Sequence, residues 1–599
     1  MTVNQKLAVL RESMKKHGVN AMIVPSADPH ISEGLPERWK QRKYFSGFTG
    51  SAGTLVVTEK ESGLWTDGRY FVQAERELKD SEIELYRIAV KDVPTITEFL
   101  EDKLSSGDVL GIDGSITAAS LYEDYEKSAQ KKGFSIKSVP CIDESWENRP
   151  VLPLRDIYVH ELKYTGLSAK EKADMLRKKL KEQNADSMVV TALPSIIWLL
   201  NIRGKNVPSN PTIVSYCVVT ADDIIFFADC DKLEPDVQNH FEENEITLKG
   251  YDDIVPFING YCKDSTFLVD KASTNYNLLS ALKENENIRI VYGSDPVLML
   301  KAVKSEFELK NIDNAHIKDG CAMVRFQMRL EDMLKNNQTF TELDIVHMIK
   351  EERSKEEGYI AESFAAIAAY GANAAMMHYS PTEDKNSVVE KKGFLLLDNG
   401  GHFLDGTTDT TRTYAVGPLT ELEKKYYTIV LKAHVDLAKA WFLEGNTGGS
   451  VDIMARQPIW KLGLNYRCGT GHGVGYLNNI HEGPQNIRPQ NPVVLVPGMT
   501  VTDEPGIYEE NVVGVRTENG MVCVEKKETE YGRFLGFEPL TYVPYDLTPV
   551  IPELLDSEEI EWIDCYHKKV YNKLAPRLTD EQKEWLKIKT RPLKEQINC

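Results

Sequence analysis

The chain has 599 residues, too many for one ordinary core, which sets an expectation of about two to four domains. Its 42% hydrophobic and 27% charged residues are those of a globular protein, and 91 acidic against 71 basic residues leave a net charge of −20. That surplus argues against non-specific attachment to nucleic acid or to an anionic membrane.

The first residues, MTVNQKLAVLRESMKKHG, are polar and amphipathic and hold no apolar leader core, so no secretory signal is expected. LRESMKKHGVNAMIV (10–24) reads as an amphipathic helix running into a buried strand. LRKKLKEQNADSMVV (176–190) repeats it, with Leu10, Arg11, Met22 and Val24 matching Leu176, Arg177, Met188 and Val190. Each copy continues through an apolar loop, YFSGFTGS (44–51) or WLLNIRG (198–204). Each then enters a strand ending in VVT, at 56–58 and 218–220. The shift between copies varies, which is not a solenoid but two related α/β domains in tandem.

The proline-bearing stretch DESWENRPVLPLRDI (143–157) is the expected linker between them. The longest apolar run, VVTALPSIIWLL (189–200), is too short and too broken by proline to span a bilayer. A charged helical stretch (302–320) opens a third domain, helical to about residue 355. Beyond it, β-type runs such as FLLLD, TRTYAV and MTVTDE alternate with helical segments at 420–444 and 449–462, an α+β layout. The last segment, 556–590, is charged and helical. The domain boundaries are placed at 1–155, 156–303 and 304–599. Nine scattered cysteines without a CxxC pair fit a reducing compartment, so a cytoplasmic address is expected.

The chemistry concentrates in five residues of the last third: Asp398, Asp409, His472, Glu504 and Glu518. Asp398 ends the apolar strand FLLLD and, taken alone, is equally a turn aspartate before Asn399-Gly400-Gly401. Asp409 sits in TTDTTRT, where β-branched threonines suggest a second strand. The eleven-residue spacing suffices for a strand, a tight reversal and a return. Both carboxylates can then face one interior, where a buried acid pair is unfavourable without cations. His472 lies in GTGHGVG, which satisfies neither phosphate-loop pattern; glycine there lets the backbone pass close to a packed site. Taken alone, His472 is also read as a hydrogen-bonded structural histidine. Glu504 in TDEPG and Glu518 in VRTEN are, singly, also read as turn or surface acids. Together the five are hard, mostly oxygen ligands able to hold two divalent ions and activate the water between them.

The words LLLDNG, DGTTDTTRT, GTGHGVGYLNNIHEGP, VTDEPGIY and GVRTEN resemble those of the pita-bread metallopeptidases, and among these the aminopeptidase P family. WTDGRYF (65–71), FSGFTGSAGT (45–54) and YGANAAMMHYSP (370–381) extend the resemblance to the three-domain cytosolic form. The resemblance implies two tandem creatinase-like α/β domains followed by a pita-bread α+β catalytic domain. It implies hydrolysis of the N-terminal Xaa-Pro bond through a hydroxide bridging two divalent ions, usually Mn²⁺. Asp398 would then chelate one ion, Asp409 and Glu518 would bridge, and His472 and Glu504 would complete the other. Glu504 would move the water's proton to the leaving nitrogen. His378 and His481 would bind substrate and stabilise the oxyanion. The family places an N-terminal-domain arginine at the substrate end of the cleft, here Arg69, which is equally read as a structural ion pair. Arg412 and Arg516 are expected to pair with nearby carboxylates, and His402 is read as a hairpin residue. The implied partners are peptides with proline second and a second copy of the chain.

Three other readings share the scaffold. A prolidase-type dipeptidase usually lacks the tandem N-terminal pair. A non-catalytic peptide-binding or histone-binding module would have lost ligands. A creatinase-like amidinohydrolase would not need all five.

Overall fold

In the computed structural model, which describes residues 1–152, 156–204, 209–230 and 233–597, the chain divides into two units. Residues 1–297, apart from 160–166 and 208–211, make the first, and the remainder makes the second.

In the first unit Thr2 caps the helix Val3–His17, and Leu7, Leu10 and Met14 form its buried face. Gly18, at φ 66°, ends the helix in the left-handed conformation and releases the chain into the strand Ala21–Pro25. That strand lies inside a six-stranded sheet, antiparallel to Thr54–Thr58 and parallel to Val109–Ile112. The strand Ser187–Val190 holds the same place in a second six-stranded sheet, antiparallel to Tyr216–Val219 and parallel to Ser265–Val269. The outer strands follow suit, so both sheets share one strand order and one pattern of directions.

The repeat reaches single bonds. Arg11 Nε donates to the Thr58 carbonyl at 2.9 Å, and Arg177 Nε to the Thr220 carbonyl at 2.9 Å. Each arginine ties its helix to the end of a VVT strand, while Leu10 and Leu176 are fully buried.

The apolar loops are partly regular structure instead. WLLNIRG begins in the helix Leu193–Leu199 and ends as the strand Ile202–Gly204, and YFSGFTGS starts inside the helix Gln41–Ser46. Trp198, Leu199 and Leu200 are buried, and a buried backbone must pair its own polar groups. The expected linker begins in the helix Cys141–Ser145 and ends in the strand Ile157–Val159, with no helix or strand over 146–152. Residues 153–155 of that stretch lie outside the described residues.

In the second unit Ser305 caps the long helix Glu306–Lys335, and Thr341 caps the helix Glu342–Arg353. A three-stranded antiparallel sheet follows, with Phe394–Asn399 between Ile367–Tyr370 and Thr410–Ala415. Leu395 and Leu397 of its central strand share a core with Phe326 and Ile345 of those helices. A six-stranded sheet runs in the order Trp441–Leu443, Gly532–Pro539, Asn519–Thr529, Thr500–Asp503, Gly471–Gly473, Glu482–Ile487. The helices Glu421–Ala438 and Gly448–Trp460 cover it, packing Leu437, Val451 and Ala455 on Val501, Met521 and Leu535.

The helix expected to 444 stops at Ala438, and Trp441–Leu443 is an edge strand. Strand alternation explains the change, because Phe442 enters the core while Trp441 and Leu443 face outward. Among the described residues no helix is long and apolar enough to cross a membrane, and the described cysteines are free thiols.

Candidate metal centre

Asp398 is the fifth residue of the strand Phe394–Asn399, on the face it shares with Leu396. The antiparallel register sets Asp398 opposite Thr411 and Asn399 opposite Thr410, so Asp409 sits where the return strand begins. A small hairpin, Gly401–Phe403 with Gly406–Thr407, makes the reversal. His402 belongs to that hairpin, with Nδ1 3.0 Å from Thr407 Oγ1.

His472 lies on the short strand Gly471–Gly473, between Glu482–Ile487 and Thr500–Asp503. Its flanking glycines are required by close approach. A Cβ at Gly471 would sit 1.9 Å from the Thr502 carbonyl oxygen, and one at Gly473 2.2 Å from that of Glu482. His472 Nδ1 donates to the Gly473 carbonyl at 2.9 Å, which fixes the tautomer and turns Nε2 toward the acids. Nε2 is 3.4 Å from Asp409 Oδ2 and 3.6 Å from Glu504 Oε1. Glu518 Oε2 accepts from Thr411 Oγ1 at 2.7 Å. One ligand atom each from Asp409, His472 and Glu518 lies within 4.8 Å of the others. Glu504 adjoins this trio, and Asp398 stands beside it, held by Arg516 Nη2 at 2.6 Å.

The electrostatics are those of a site built for cations. Burial raises the Asp398 carboxyl, opposed by Arg516 and reinforced by Asp409. Burial also lifts Glu504 to about 7, against the pull of His472 and Arg516. Glu518 is pushed well above the carboxylate range by burial and by the charges of Asp409, Asp398 and Glu504. Burial alone would depress His472, but Asp409 and Glu504 carry it up to about 9. Asp398 Oδ1 is buried without a hydrogen-bond partner among the described residues. Four crowded carboxylates, an unbonded buried oxygen and an imidazole nitrogen aimed at them fit two hard divalent ions.

Arg516 pairs with a carboxylate as expected, and Tyr508 and Thr411 steady it: Nη1 donates to Tyr508 Oη at 2.8 Å and Nε to Thr411 Oγ1 at 3.2 Å. Arg412 does not. Its guanidinium donates to the carbonyls of Glu518 at 2.6 Å and Val543 at 2.7 Å and to Asn519 Oδ1 at 2.8 Å. It holds the backbone that carries Glu518, because the strand pairing leaves those carbonyls as the acceptors within its reach. The His481 ring stands edge-on to His472, centroids 4.2 Å apart. Its neighbour Glu482 is buried between Lys301, at 3.0 Å, and Lys304. The segment of His378 reaches the centre through the Met377 carbonyl, which accepts from Arg516 Nη2 at 3.5 Å. Arg69 belongs to the first unit, where Nε and Nη2 each bond Asp67 at 2.8 Å and the side chain lines a 280 Å³ cavity.

Sequence reasoning missed a fully enclosed pair next to Glu504, His434 with Nδ1 3.1 Å from Asp503 Oδ2. His434 Nε2 lies 2.8 Å from Tyr545 Oη, which also accepts from Asn519 Nδ2 at 2.8 Å. Polar contacts thus link the residue before Glu504 to the residue after Glu518. Its one sequence signal is a histidine on the apolar face of VLKAHVDLA.

Comparisons with known proteins agree along the whole chain. Residues 310–525 match metallopeptidase family M24, and 533–593 match the C-terminal region of that family. Residues 6–143 and 148–308 each match a creatinase/prolidase N-terminal domain. Aminopeptidase P2 of Arabidopsis thaliana is 37% identical, over 99% of this chain and 89% of that protein. A probable Xaa-Pro aminopeptidase P of Pyrenophora teres f. teres is 38% identical, over 98% of this chain and 92% of that protein. The crystal structure of X-prolyl aminopeptidase from Caenorhabditis elegans, described as a cytosolic enzyme with a di-nuclear active site, superposes with a TM-score of 0.94. It is 34% identical, over 99% of this chain and 100% of that one.

Proposed function

We infer the function from family and site together: the chain belongs to the Xaa-Pro aminopeptidase (aminopeptidase P) family of metallopeptidases. Two creatinase-type N-terminal domains precede a pita-bread catalytic domain, and the chain is a metal-dependent aminopeptidase that hydrolyses the N-terminal Xaa-Pro bond of peptides. The observation that carries this is the convergence of Asp409, His472 and Glu518 within 4.8 Å, with Glu504 adjoining. Domain limits of 1–155, 156–303 and 304–599 remain our placement.

Two divalent ions bound there supply Lewis acidity at the scissile carbonyl and a water ionised near neutral pH. Asp398, Asp409, His472, Glu504 and Glu518 would hold them, with Asp409 and Glu518 bridging. Glu504, with Oε1 3.6 Å from His472 Nε2, adjoins the trio and would take a proton from water and return it to the departing proline nitrogen. His481 and His378 donate hydrogen bonds to the oxygen that gains charge. Carbonyl recognition suits this substrate, since the Xaa-Pro amide has no N–H to offer. Arg69 is assigned to the substrate, and its bidentate hold on Asp67 fixes the guanidinium plane.

The oxygen-rich ligand set favours Mn²⁺. The free cysteines support a cytoplasmic address. A homodimer is supported by apolar side chains turned outward from the edge strand and the adjoining helix: Trp441, Leu443, Ile453, Met454 and Trp460.

The deciding experiment measures metal per chain and assays the Mn²⁺-supplemented protein on Arg-Pro-Pro and on Ala-Pro. Release of free arginine with up to two metals bound is the expected result. Cleavage of the dipeptide alone would make it a prolidase, and neither cleavage nor metal would make it a binding module.

A further inference from the structure

The segment 371–388 carries His378 on short-range structure: a 3₁₀ turn, Gly371–Ala375, a tight reversal in which Thr382 and Lys385 exchange backbone hydrogen bonds, and a single bridge from Val388 to Thr341. An isolated turn does not hold a side chain to the tolerance that catalysis needs. The holding group is Glu342, the first residue of the helix Glu342–Arg353, whose side chain is fully buried.

Glu342 Oε1 accepts from the Tyr370 amide at 2.6 Å and from Asn373 Nδ2 at 3.0 Å. Oε2 accepts from Tyr379 Oη at 2.8 Å and from the Ser387 amide at 2.7 Å. The donors lie on both sides of His378, and Tyr379 is its immediate neighbour. The partners of the Glu342 carboxylate among the described residues are these neutral groups. Its charge is balanced by these neutral donors and by the helix N-terminus. Each of these bonds left unmade would cost the desolvation of a buried charge, so together they hold the segment in place. On its other side the Met377 carbonyl meets Arg516, which also holds Asp398. His378 is thus bracketed between a buried anion and the arginine of the metal centre.

We propose that Glu342 is a positioning residue that docks the 370–388 segment and so places His378 for the peptidase reaction. The proposal rests on the functional reading above, in which His378 contacts substrate. Glu342→Gln keeps the volume but presents an N–H₂ to groups that are themselves donors. Metal ligation does not involve this segment, so the loss belongs in turnover rather than in metal content.

The test uses the full chain loaded with Mn²⁺ and four variants: Glu342→Gln, Tyr379→Phe, His378→Ala and the Glu342→Gln/His378→Ala double. Glu342→Gln is expected to lower kcat on Arg-Pro-Pro at least about 10-fold with metal per chain unchanged, and the double variant to match His378→Ala within about twofold. Tyr379→Phe, which removes the bond to Glu342 and a longer one to the Lys385 carbonyl at 3.3 Å, should move kcat the same way by less. Amide exchange on the metal-free protein is the second readout. It should quicken over 371–388 in Glu342→Gln while the strands 394–399 and 410–415 keep their protection. Losses that multiply in the double variant, loss of metal in Glu342→Gln, or unchanged exchange would overturn the proposal. A wild-type chain that fails on Arg-Pro-Pro would overturn the functional reading itself.

Discussion

At the scale of single residues the centre is a problem of charge. Asp409, Glu504 and Glu518 gather at one imidazole with Asp398 beside them, and Arg516 is a built-in cation bonded to Asp398. On the proposed assignment Asp409 and Glu518 serve both ions, so removing either charge should act on both. Asp409→Asn or Glu518→Gln should weaken metal binding more than about 100-fold, beyond what loss of a supporting hydrogen bond costs. Elemental analysis after dialysis checks it, and full metal content with full activity would refute the ligand assignment. His481 stands on the open side of His472, edge-on to it, and its loss should be of another kind. His481→Ala should keep both metals and lose about 10²–10³-fold in kcat, the range for one donor to a developing oxyanion.

At the scale of elements the decisive feature is how closely strands pass at the histidine. The Gly471 position faces the Thr502 carbonyl at a distance no Cβ tolerates. Gly471→Ala must push apart the strands that carry His472 and Glu504. A loss of about 1–3 kcal/mol, the range for overpacking, is expected in urea unfolding, together with weaker metal binding. The duplicated helix-to-strand passages of the first unit show a different kind of element. There Arg11 and Arg177 make the same bond to the same carbonyl position in two sheets. A repeated bond of this kind is a constraint of folding, since neither arginine belongs to the metal centre.

At the scale of the whole molecule, metal binding and stability are one equilibrium. His472, raised to about 9, and Glu504, raised to about 7, both hold protons more tightly folded than unfolded. These two groups therefore hold extra protons in the folded metal-free chain between about pH 4.5 and pH 9, and their contribution to stability falls as pH rises through that window. The His472 contribution is fully present below about pH 6.5 and is lost as pH passes 9. Deprotonated ligands bind metal best, so added Mn²⁺ should restore the most stability at the alkaline end. Melting curves with and without Mn²⁺ from pH 6 to 9 test this, and a metal-free Tm that rises with pH would contradict it. Substituting Trp441→Glu with Met454→Glu should convert a dimer to a monomer in sedimentation, because it charges the outward apolar face.

The sequence alone singled out the five candidate ligands, because spacing and flanking words are local properties of a chain. Asp398 and Asp409 needed only a strand, a reversal and a return, and the register delivers that. The tandem duplication was legible for the same reason, from Leu10, Arg11 and Met22 against Leu176, Arg177 and Met188. Amphipathic patterning located the long helices but ran one of them through 441–443, an edge strand from which Phe442 enters the core, and the loop expected over 198–204 is partly helix and strand, where a buried backbone must pair its polar groups. What tertiary structure decided were the partners. That Arg412 serves carbonyls and Arg516 a carboxylate is invisible in TRT and VRT. That His434 meets Asp503, and that Glu342 gathers Tyr370, Asn373, Tyr379 and Ser387, depends on residues up to 69 positions apart. Such contacts are fixed by packing rather than by periodicity, since a buried polar group is stable only where the completed fold supplies its partner.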